Sequence, residues 1–114
     1  MKKKRIIYFV TLSRNADIVL KQALDLSLDH EVMIFFDLDG ARVLDPTYLK
    51  QQATQQCVDV SDLLHKSIQA GIRLFGCQMN VLNAVGMKMM DGVELAGVAA
   101  LLDLSYDADA VLSY

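Results

Sequence analysis

Three short apolar runs place the strongest limit on how this chain can fold. They are Arg5–Thr11, Glu31–Phe36 and Ile72–Phe75, all rich in β-branched and aromatic residues. A strand with one face in solvent alternates apolar and polar residues, and these runs do not alternate. The first two are therefore predicted to be strands buried on both faces, which is typical of a parallel sheet covered by helices on both sides, and the third run is predicted to be a strand as well.

Helical periodicity appears between these runs. Ser13 is predicted to cap a first helix, whose leucines recur at helical spacing. The predicted stripe contains Leu20, Leu24 and Leu28, with Val19, Ala23 and Leu26 beside it. Ser61 is predicted to begin another helix, carrying Leu64 and Ile68, and Gly71 to end it.

The other elements follow from the same signals. Helices are predicted at Gln78–Val85 and Val98–Tyr106, and strands at Val93–Ala96 and Ala110–Tyr114. After the second strand, the chain is predicted to turn at Gly40, with a short edge extension over 41–44. The pair Asp45-Pro46 favours a helix start, and the polar segment TYLKQQATQQC that follows is predicted to form an exposed helix or a mobile flap. Whether residues 46–60 cover the site as a lid stays open.

Strands and helices alternate along the whole chain. This order predicts a single domain over residues 1–114, an α/β fold. The expected architecture is a three-layer α/β/α sandwich with a largely parallel five-stranded sheet.

The composition bears on the partners of the chain. Of 114 residues, 54% are hydrophobic and 22% are charged. Because a domain of this size has a high ratio of surface to volume, some apolar surface is expected at a subunit interface, so we expect a homo-oligomer. The net charge of −3 argues against binding to nucleic acid.

The amino-terminal sequence MKKKRIIYFVTL has the basic start and apolar run of a signal peptide. Arg14 and Asp17 follow without a cleavage site of small residues, so we interpret it as a first strand with a solvated basic entrance. No run has the length of a membrane span, and two cysteines, Cys57 and Cys77, make no disulfide framework. We expect a cytoplasmic protein with reduced thiols.

Cys77 is the candidate reactive group. It is predicted to lie where the third strand ends and a helix begins, a position at which open α/β sheets hold reactive groups. Backbone N–H groups and the partial positive charge of a helix amino terminus favour a thiolate. Gly76 leaves room for an approaching molecule. The alternative is that Cys77 has a purely structural role, because free cysteines are often buried and act as small hydrophobes.

The segments FGCQMNVLNAVGM, DGVELAG and ADAVLSY resemble the DsrE/DsrF-like family, especially its peroxiredoxin-like branch. FFDLDGARVL is similar to that branch too. The resemblance implies a small α/β protein that forms trimers, hexamers or hetero-oligomers. The family includes sulfur-relay subunits. By position it implies that Cys77 carries sulfur as a persulfide and exchanges it with donor and acceptor proteins.

The expected site also contains residues next to this cysteine. Gly76, Gln78, Met79 and Asn80 are the predicted binding residues, with Asn80 as a hydrogen-bonding group. Sulfur transfer of this kind requires no cofactor and no metal. With one thiol and no evident acid or base, we expect a carrier rather than a turnover enzyme.

Two other functions stay open. One is a noncatalytic oligomeric module that binds a small ligand or a partner, and the other is a thiol peroxidase. A peroxidase usually needs a resolving cysteine, and we expect Cys57 to be structural or incidental instead.

Several further residues are of types that can serve as functional groups. Met79, Met87, Met89 and Met90 are soft ligands for Cu(I), but they follow no metal-binding spacing and are expected to shape an apolar wall. His30 and His65 have no spacing that pairs either with a cysteine. Asp37 and Asp39 lie beside the expected site, and a loop-forming role is expected for Asp39 and Gly40.

Overall fold

The computed structural model describes residues 3–45, 48, 60–77 and 91–114. The described strands are β1 (Arg5–Val10), β2 (Glu31–Phe36), β3 (Arg73–Cys77), β4 (Val93–Ala96) and β5 (Ala110–Ser113). The described α-helices are α1 (Ala16–Leu26), α2 (Val60–Gln69) and α3 (Val98–Tyr106). Two 3-10 segments, Ser13–Asn15 and Leu38–Leu44, follow β1 and β2.

The five described strands form one sheet in the order β4-β3-β2-β1-β5. Every neighbouring pair is parallel, with Arg5 opposite Glu31, Met33 opposite Arg73 and Leu74 opposite Val93. The predicted α/β fold with a five-stranded, largely parallel sheet is confirmed.

Helices cover both faces of this sheet. On one face, here called the α1/α2 face, Tyr8, Ile34 and Leu74 pack with residues of α1 and α2 in one buried cluster. On the other, the α3 face, buried Ile7 and Met33 pack with residues of α3. The layers therefore form because alternate side chains of each strand point to opposite faces and both sets are apolar.

Three predicted elements have the boundaries expected. Glu31–Phe36, Val93–Ala96 and Val98–Tyr106 match the structure at both ends. The third strand differs, because it extends through Gly76 and Cys77. Hydrogen bonding to the neighbouring strands continues to the cysteine, which pairs with Ala96.

Three local predictions are wrong. Ser13 does not cap α1, because it lies in a 3-10 turn and its hydroxyl donates to Asp39 Oδ2. Leu28 does not join the helical stripe, since α1 ends at Leu26 and Leu28 is exposed. Residues 41–44 form no strand but part of a 3-10 segment, whose buried side chains pack on the α1/α2 face.

At two positions the local structure explains why the residue is glycine. Gly71 follows α2 with φ of 87°, a left-handed conformation that glycine adopts without a Cβ penalty. A Cβ on Gly40 would collide with the carbonyl of Val10. The 3-10 segment after β2 can therefore lie against the end of β1 only with glycine at this position.

Some predictions fall outside the described residues. These are the helix Gln78–Val85, the helix start at Asp45-Pro46 and the placement of Cys57. Of residues 46–60, the possible lid, only Tyr48 and Val60 are described. Among the helices that the structure describes, none combines the length and the apolar character needed to cross a bilayer.

Candidate functional site

Cys77 is the last residue of β3 and lies at the carboxyl edge of the sheet. Its backbone pairs with Ala96 of β4, and that of Gly76 pairs with Phe36 of β2, so β3 has a neighbouring strand on each side here. The residue is 6% exposed. β3 holds the backbone of the candidate site in a rigid element, and the side chain is buried at the rim of the α3 face.

The surroundings of the thiol are apolar and aromatic. Cys77 belongs to the buried cluster that includes Phe35, Phe75 and Ala96. The rings of Phe35 and Phe75 stack with centroids 5.9 Å apart, and Phe9 lies 6.1 Å from Phe35 on the other side. A row of three aromatic rings thus crosses β1, β2 and β3 one level below the cysteine.

A charged pair lies further along the same face of β3. Arg73 Nε and Glu94 Oε2 are 3.0 Å apart, and a second bond of 3.1 Å joins Arg73 Nη2 to Glu94 Oε1. The hydrogen bonding to Glu94 raises the pKa of Arg73, so the guanidinium stays charged. It also lies 4.8 Å from the centroid of the Phe75 ring, which is favourable for a cation over an aromatic face.

A hydrogen-bonded loop cluster supports the carboxyl edge beside the site. The backbone N–H and the hydroxyl of Ser13 both donate to Asp39 Oδ2 at 2.8 Å, and the Ser13 hydroxyl lies 3.2 Å from the Tyr48 hydroxyl. The Ser13 backbone bond is the main reason that the pKa of Asp39 is lowered, and Arg42 adds to it. The predicted loop-forming role of Asp39 is confirmed.

Sequence reasoning missed Leu38. This exposed residue has φ of 50°, in the left-handed region that leucine rarely adopts. The side chain of Asp37 accepts a hydrogen bond from the Leu38 N–H and helps to fix that conformation. Because Phe36 pairs with Gly76, this turn follows β2 at the level of Cys77. An aspartate before the turn was the only signal available in the sequence.

Three of the other candidate residues, Gly76, His30 and His65, are described, and each lies away from the thiol. Gly76 is buried, and strand alternation points it to the face opposite Cys77. His30 Nδ1 accepts from the backbone N–H of Lys4 before β1, and His65 is exposed on α2, so neither histidine pairs with the cysteine. Gln78, Met79 and Asn80 lie outside the described residues, as do Met87, Met89 and Met90.

The backbone fold of this chain has counterparts among solved structures. Ten chains of solved structures match it, among them the crystal structure of the YchN protein from E. coli. The two share 17% sequence identity with a TM-score of 0.78, over 99% of this chain and 100% of YchN. This chain has a DsrE-like fold.

The other comparisons add no relative: no family model matches the chain, and no curated protein matches it. At 17% identity, the likeness to YchN establishes the fold alone. Function must therefore be argued from the residues of the site.

Proposed function

We propose that this protein accepts sulfane sulfur on Cys77 as a persulfide and passes it to a partner protein. The observation that carries the proposal is the position of Cys77, at the carboxyl end of an interior strand in a DsrE-like sheet. Open α/β sheets bind and react at this edge, because loops there are held by rigid strands.

The chemistry needs only the thiol and a sulfur donor. The Cys77 thiolate attacks the terminal sulfur of a donor persulfide, and a new S–S bond forms at Sγ while the donor S–S bond breaks. The donor leaves as a thiolate, so no net oxidation occurs. Attack by an acceptor thiolate on the carried sulfur reverses these roles and regenerates Cys77.

The apolar surroundings of Cys77 suit a persulfide that is held on the protein better than one that is exchanged rapidly. Phe35, Phe75 and Ala96 belong to the same buried cluster and limit the access of water and stray thiols to the sulfur. Because the residue is 6% exposed, transfer requires that the sulfur be uncovered first. We expect local movements of the native protein to uncover it, so that a small donor such as polysulfide can reach it as well, and we expect the biological sulfur donor and acceptor to be proteins. Self-association into a trimer or hexamer is part of the same proposal.

The burial of Cys77 also favours a second candidate function. In this alternative the protein is a noncatalytic oligomeric module, and the thiol packs as a small hydrophobe beside a binding surface. The two functions differ in whether the native protein can hold an extra sulfur atom.

Intact-mass measurements separate them. The native protein and its Cys57→Ser and Cys77→Ser variants are incubated with polysulfide, or with rhodanese and thiosulfate. The relay predicts a sulfur adduct that dithiothreitol removes, present in the wild type and Cys57→Ser and absent from Cys77→Ser. Each sample is also treated with polysulfide after denaturation, which shows that Cys77 can react once exposed.

Two results contradict the relay. An adduct on Cys77 only in denatured protein supports the binding module, because the native fold then excludes the donor. Equal labelling of both variants indicates nonspecific thiol chemistry.

A further inference from the structure

A negative charge carried on Cys77 would find no hydrogen-bond donor among the side chains of its own cluster. The other buried members have no N–H or O–H group in their side chains; they are Ile7, Met33, Phe35, Phe75 and Ala96. The partly buried residues packed against this cluster are apolar as well. A charge in apolar surroundings is costly unless hydrogen bonds compensate it. A persulfide anion on Cys77 therefore needs backbone N–H groups as its partners.

The first turn of α3 lies beside the cysteine. Cys77 pairs with Ala96, the last residue of β4, and their side chains belong to the same cluster on the α3 face. Only Gly97 separates β4 from α3. Ala100, in the first turn of α3, packs against that cluster too. The amino terminus of this nine-residue helix is therefore at the carboxyl edge of the sheet, next to the strand end that holds the thiol.

This helix end has backbone donors that the helix itself does not use. Its first hydrogen bond runs from the Leu101 N–H to the Gly97 carbonyl, at 3.3 Å. The N–H groups of Val98, Ala99 and Ala100 precede that bond, so none has an acceptor within the helix. A side chain at the N-cap position usually accepts from one such group. Gly97 occupies that position without a side chain, and the first turn contains no acidic residue.

The helix end has space for one more atom. A Cβ added to Gly97 would meet nothing within 4 Å, so the place of a capping side chain is open among the described residues. The Cys77 thiol approaches from the buried side. It is 6% exposed, and no described residue forms a hydrogen bond with its sulfur. The outer sulfur of a persulfide lies about 2 Å beyond Sγ, which extends the side chain out of the apolar cluster.

The charged groups nearby favour the same direction. Glu94 precedes Ala96 by two residues on the same face, but its carboxylate accepts both hydrogen bonds from Arg73. Asp37 follows β2, on the opposite side of β3 from α3. Its carboxylate accepts from the Leu38 N–H and would repel an anion on Cys77. The β4 side, where α3 begins, is therefore the favourable side for a negatively charged sulfur.

From the uncapped helix end and the unpartnered buried thiol beside it, we propose that the amino terminus of α3 binds the terminal sulfur of the Cys77 persulfide as an anion. This inference rests on the proposed sulfur relay and names the group that stabilises its intermediate. The N–H groups of Ala99 and Ala100 donate to the carried sulfur, and the positive end of the helix dipole adds to the stabilisation.

The ligand class of this site is the anionic sulfane sulfur of a small persulfide, such as glutathione persulfide. The Cys77 thiolate attacks the outer sulfur of the donor anion, a new S–S bond forms, and the donor S–S bond breaks. One negative charge stays on the carried sulfur and the other leaves on the glutathione thiolate. No net oxidation occurs, and the helix end stabilises only the charge that stays.

The test is the exchange equilibrium between Cys77 and glutathione persulfide. All proteins carry Cys57→Ser, and intact mass gives the fraction of Cys77 persulfide at set ratios of glutathione persulfide to glutathione. Gly97→Asp places a carboxylate at the N-cap, where it accepts from the Ala99 or Ala100 N–H and repels the carried sulfur. The equilibrium constant for loading should fall about ten-fold or more.

Two further substitutions at the same position are the controls. The backbone of Gly97 is extended, with φ of −91° and ψ of 178°, so it accepts a side chain without strain. Gly97→Ala adds no acceptor and should leave the constant nearly unchanged. Gly97→Asn occupies the N–H groups without a charge and should give an intermediate loss. Because Asp and Asn are preferred N-cap residues, both variants should melt no lower than Gly97→Ala.

Amide NMR spectra locate the sulfur directly. When Cys77 is converted to the persulfide in the Cys57→Ser protein, the amide resonances of Ala99 and Ala100 should shift. In Gly97→Asp these two amides should respond much less. The amides at the start of α1, on the other face of the sheet, are the internal control and should stay in place.

The helix-end proposal is overturned if Gly97→Asp holds the persulfide as well as Gly97→Ala does, or if the Ala99 and Ala100 amides do not respond. Either result, with a persulfide still formed on Cys77, leaves the sulfur relay standing. A native protein that takes up no sulfur on Cys77 overturns the relay and this proposal together.

Discussion

The two faces of the sheet are built differently. Among the described residues, sixteen buried residues form the cluster on the α1/α2 face and six form the cluster on the α3 face. The larger cluster is mainly aliphatic and is covered by α1, α2 and the 3-10 segment after β2. The smaller one contains the candidate cysteine, beside a row of aromatic rings.

This difference suggests a division of roles. Burial of apolar area is the main source of stability, so the α1/α2 face is expected to carry most of it. The α3 face can then hold a reactive thiol and expose apolar residues on α3 at a smaller cost to folding. Four sets of substitutions test these roles.

Phe36→Ala removes a fully buried ring from the α1/α2 cluster. We expect the free energy of unfolding to fall by about 3–5 kcal/mol, through lost burial and the cavity left behind. Urea denaturation measures the change. Leu28→Ala, at an exposed position, is the control and should change stability by about 0.5 kcal/mol or less. Similar losses in both variants would mean that this face does not carry the stability.

Gly40→Ala tests how tightly the 3-10 segment after β2 lies against β1. The added Cβ would collide with the Val10 carbonyl, so the segment must shift, at a cost of about 2–3 kcal/mol. Gly97→Ala is the matched control, because a Cβ there meets no atom within 4 Å. In thermal denaturation, Gly40→Ala should melt at a clearly lower temperature than Gly97→Ala. Equal melting temperatures would contradict the close approach of the 3-10 segment to β1.

Cys77→Ser and Cys77→Ala compare a polar and an apolar replacement in the α3 cluster. A buried hydroxyl that finds no partner is unfavourable, so the serine variant should be less stable than the alanine variant by about 1 kcal/mol. Chemical denaturation of both gives the difference. A serine variant at least as stable as the alanine variant would show that the position is hydrated and would contradict the apolar surroundings of Cys77.

Asp39→Asn tests the loop cluster at the carboxyl edge. The folded-state pKa of Asp39 is lowered from its usual value of 3.8, mainly by the Ser13 N–H, so the ionised form stabilises the folded state. That stabilisation is present above about pH 4 and is lost as the pH falls through the folded-state pKa.

Because the Asp39 side chain is partly exposed, the loss at neutral pH should be about 1 kcal/mol or less. Stability curves against pH for wild type and variant should converge in acid. Ser13→Ala keeps the backbone N–H and should lose only part of the effect. A constant gap down to low pH would show that the charge of Asp39 plays no part.

The elements that could be predicted from the sequence are those fixed by interactions between residues close together in the chain. β2, β4 and α3 were predicted to the residue, because their hydrophobic pattern and flanking signals are local. The cap at Ser13 was wrong because the hydroxyl is taken by Asp39, 26 residues away. The end of β3 was misplaced, since Gly76 suggested a turn while pairing with β2 and β4 extends the strand.

Prediction of the candidate site from the sequence has the same limit. Cys77 and its place at a strand end were recognisable from the sequence. Its burial was not, because this depends on the α3 cluster, whose members are distant in the chain. The left-handed Leu38 was also missed, since no glycine marks it.

The amino-acid sequence alone sets the class of fold, because continuous apolar runs can be satisfied only in strands covered on both faces. The order β4-β3-β2-β1-β5 and, among the described residues, the unequal size of the two buried clusters emerge only in the folded chain. These features depend on which strands become neighbours, and contacts between distant segments set that choice.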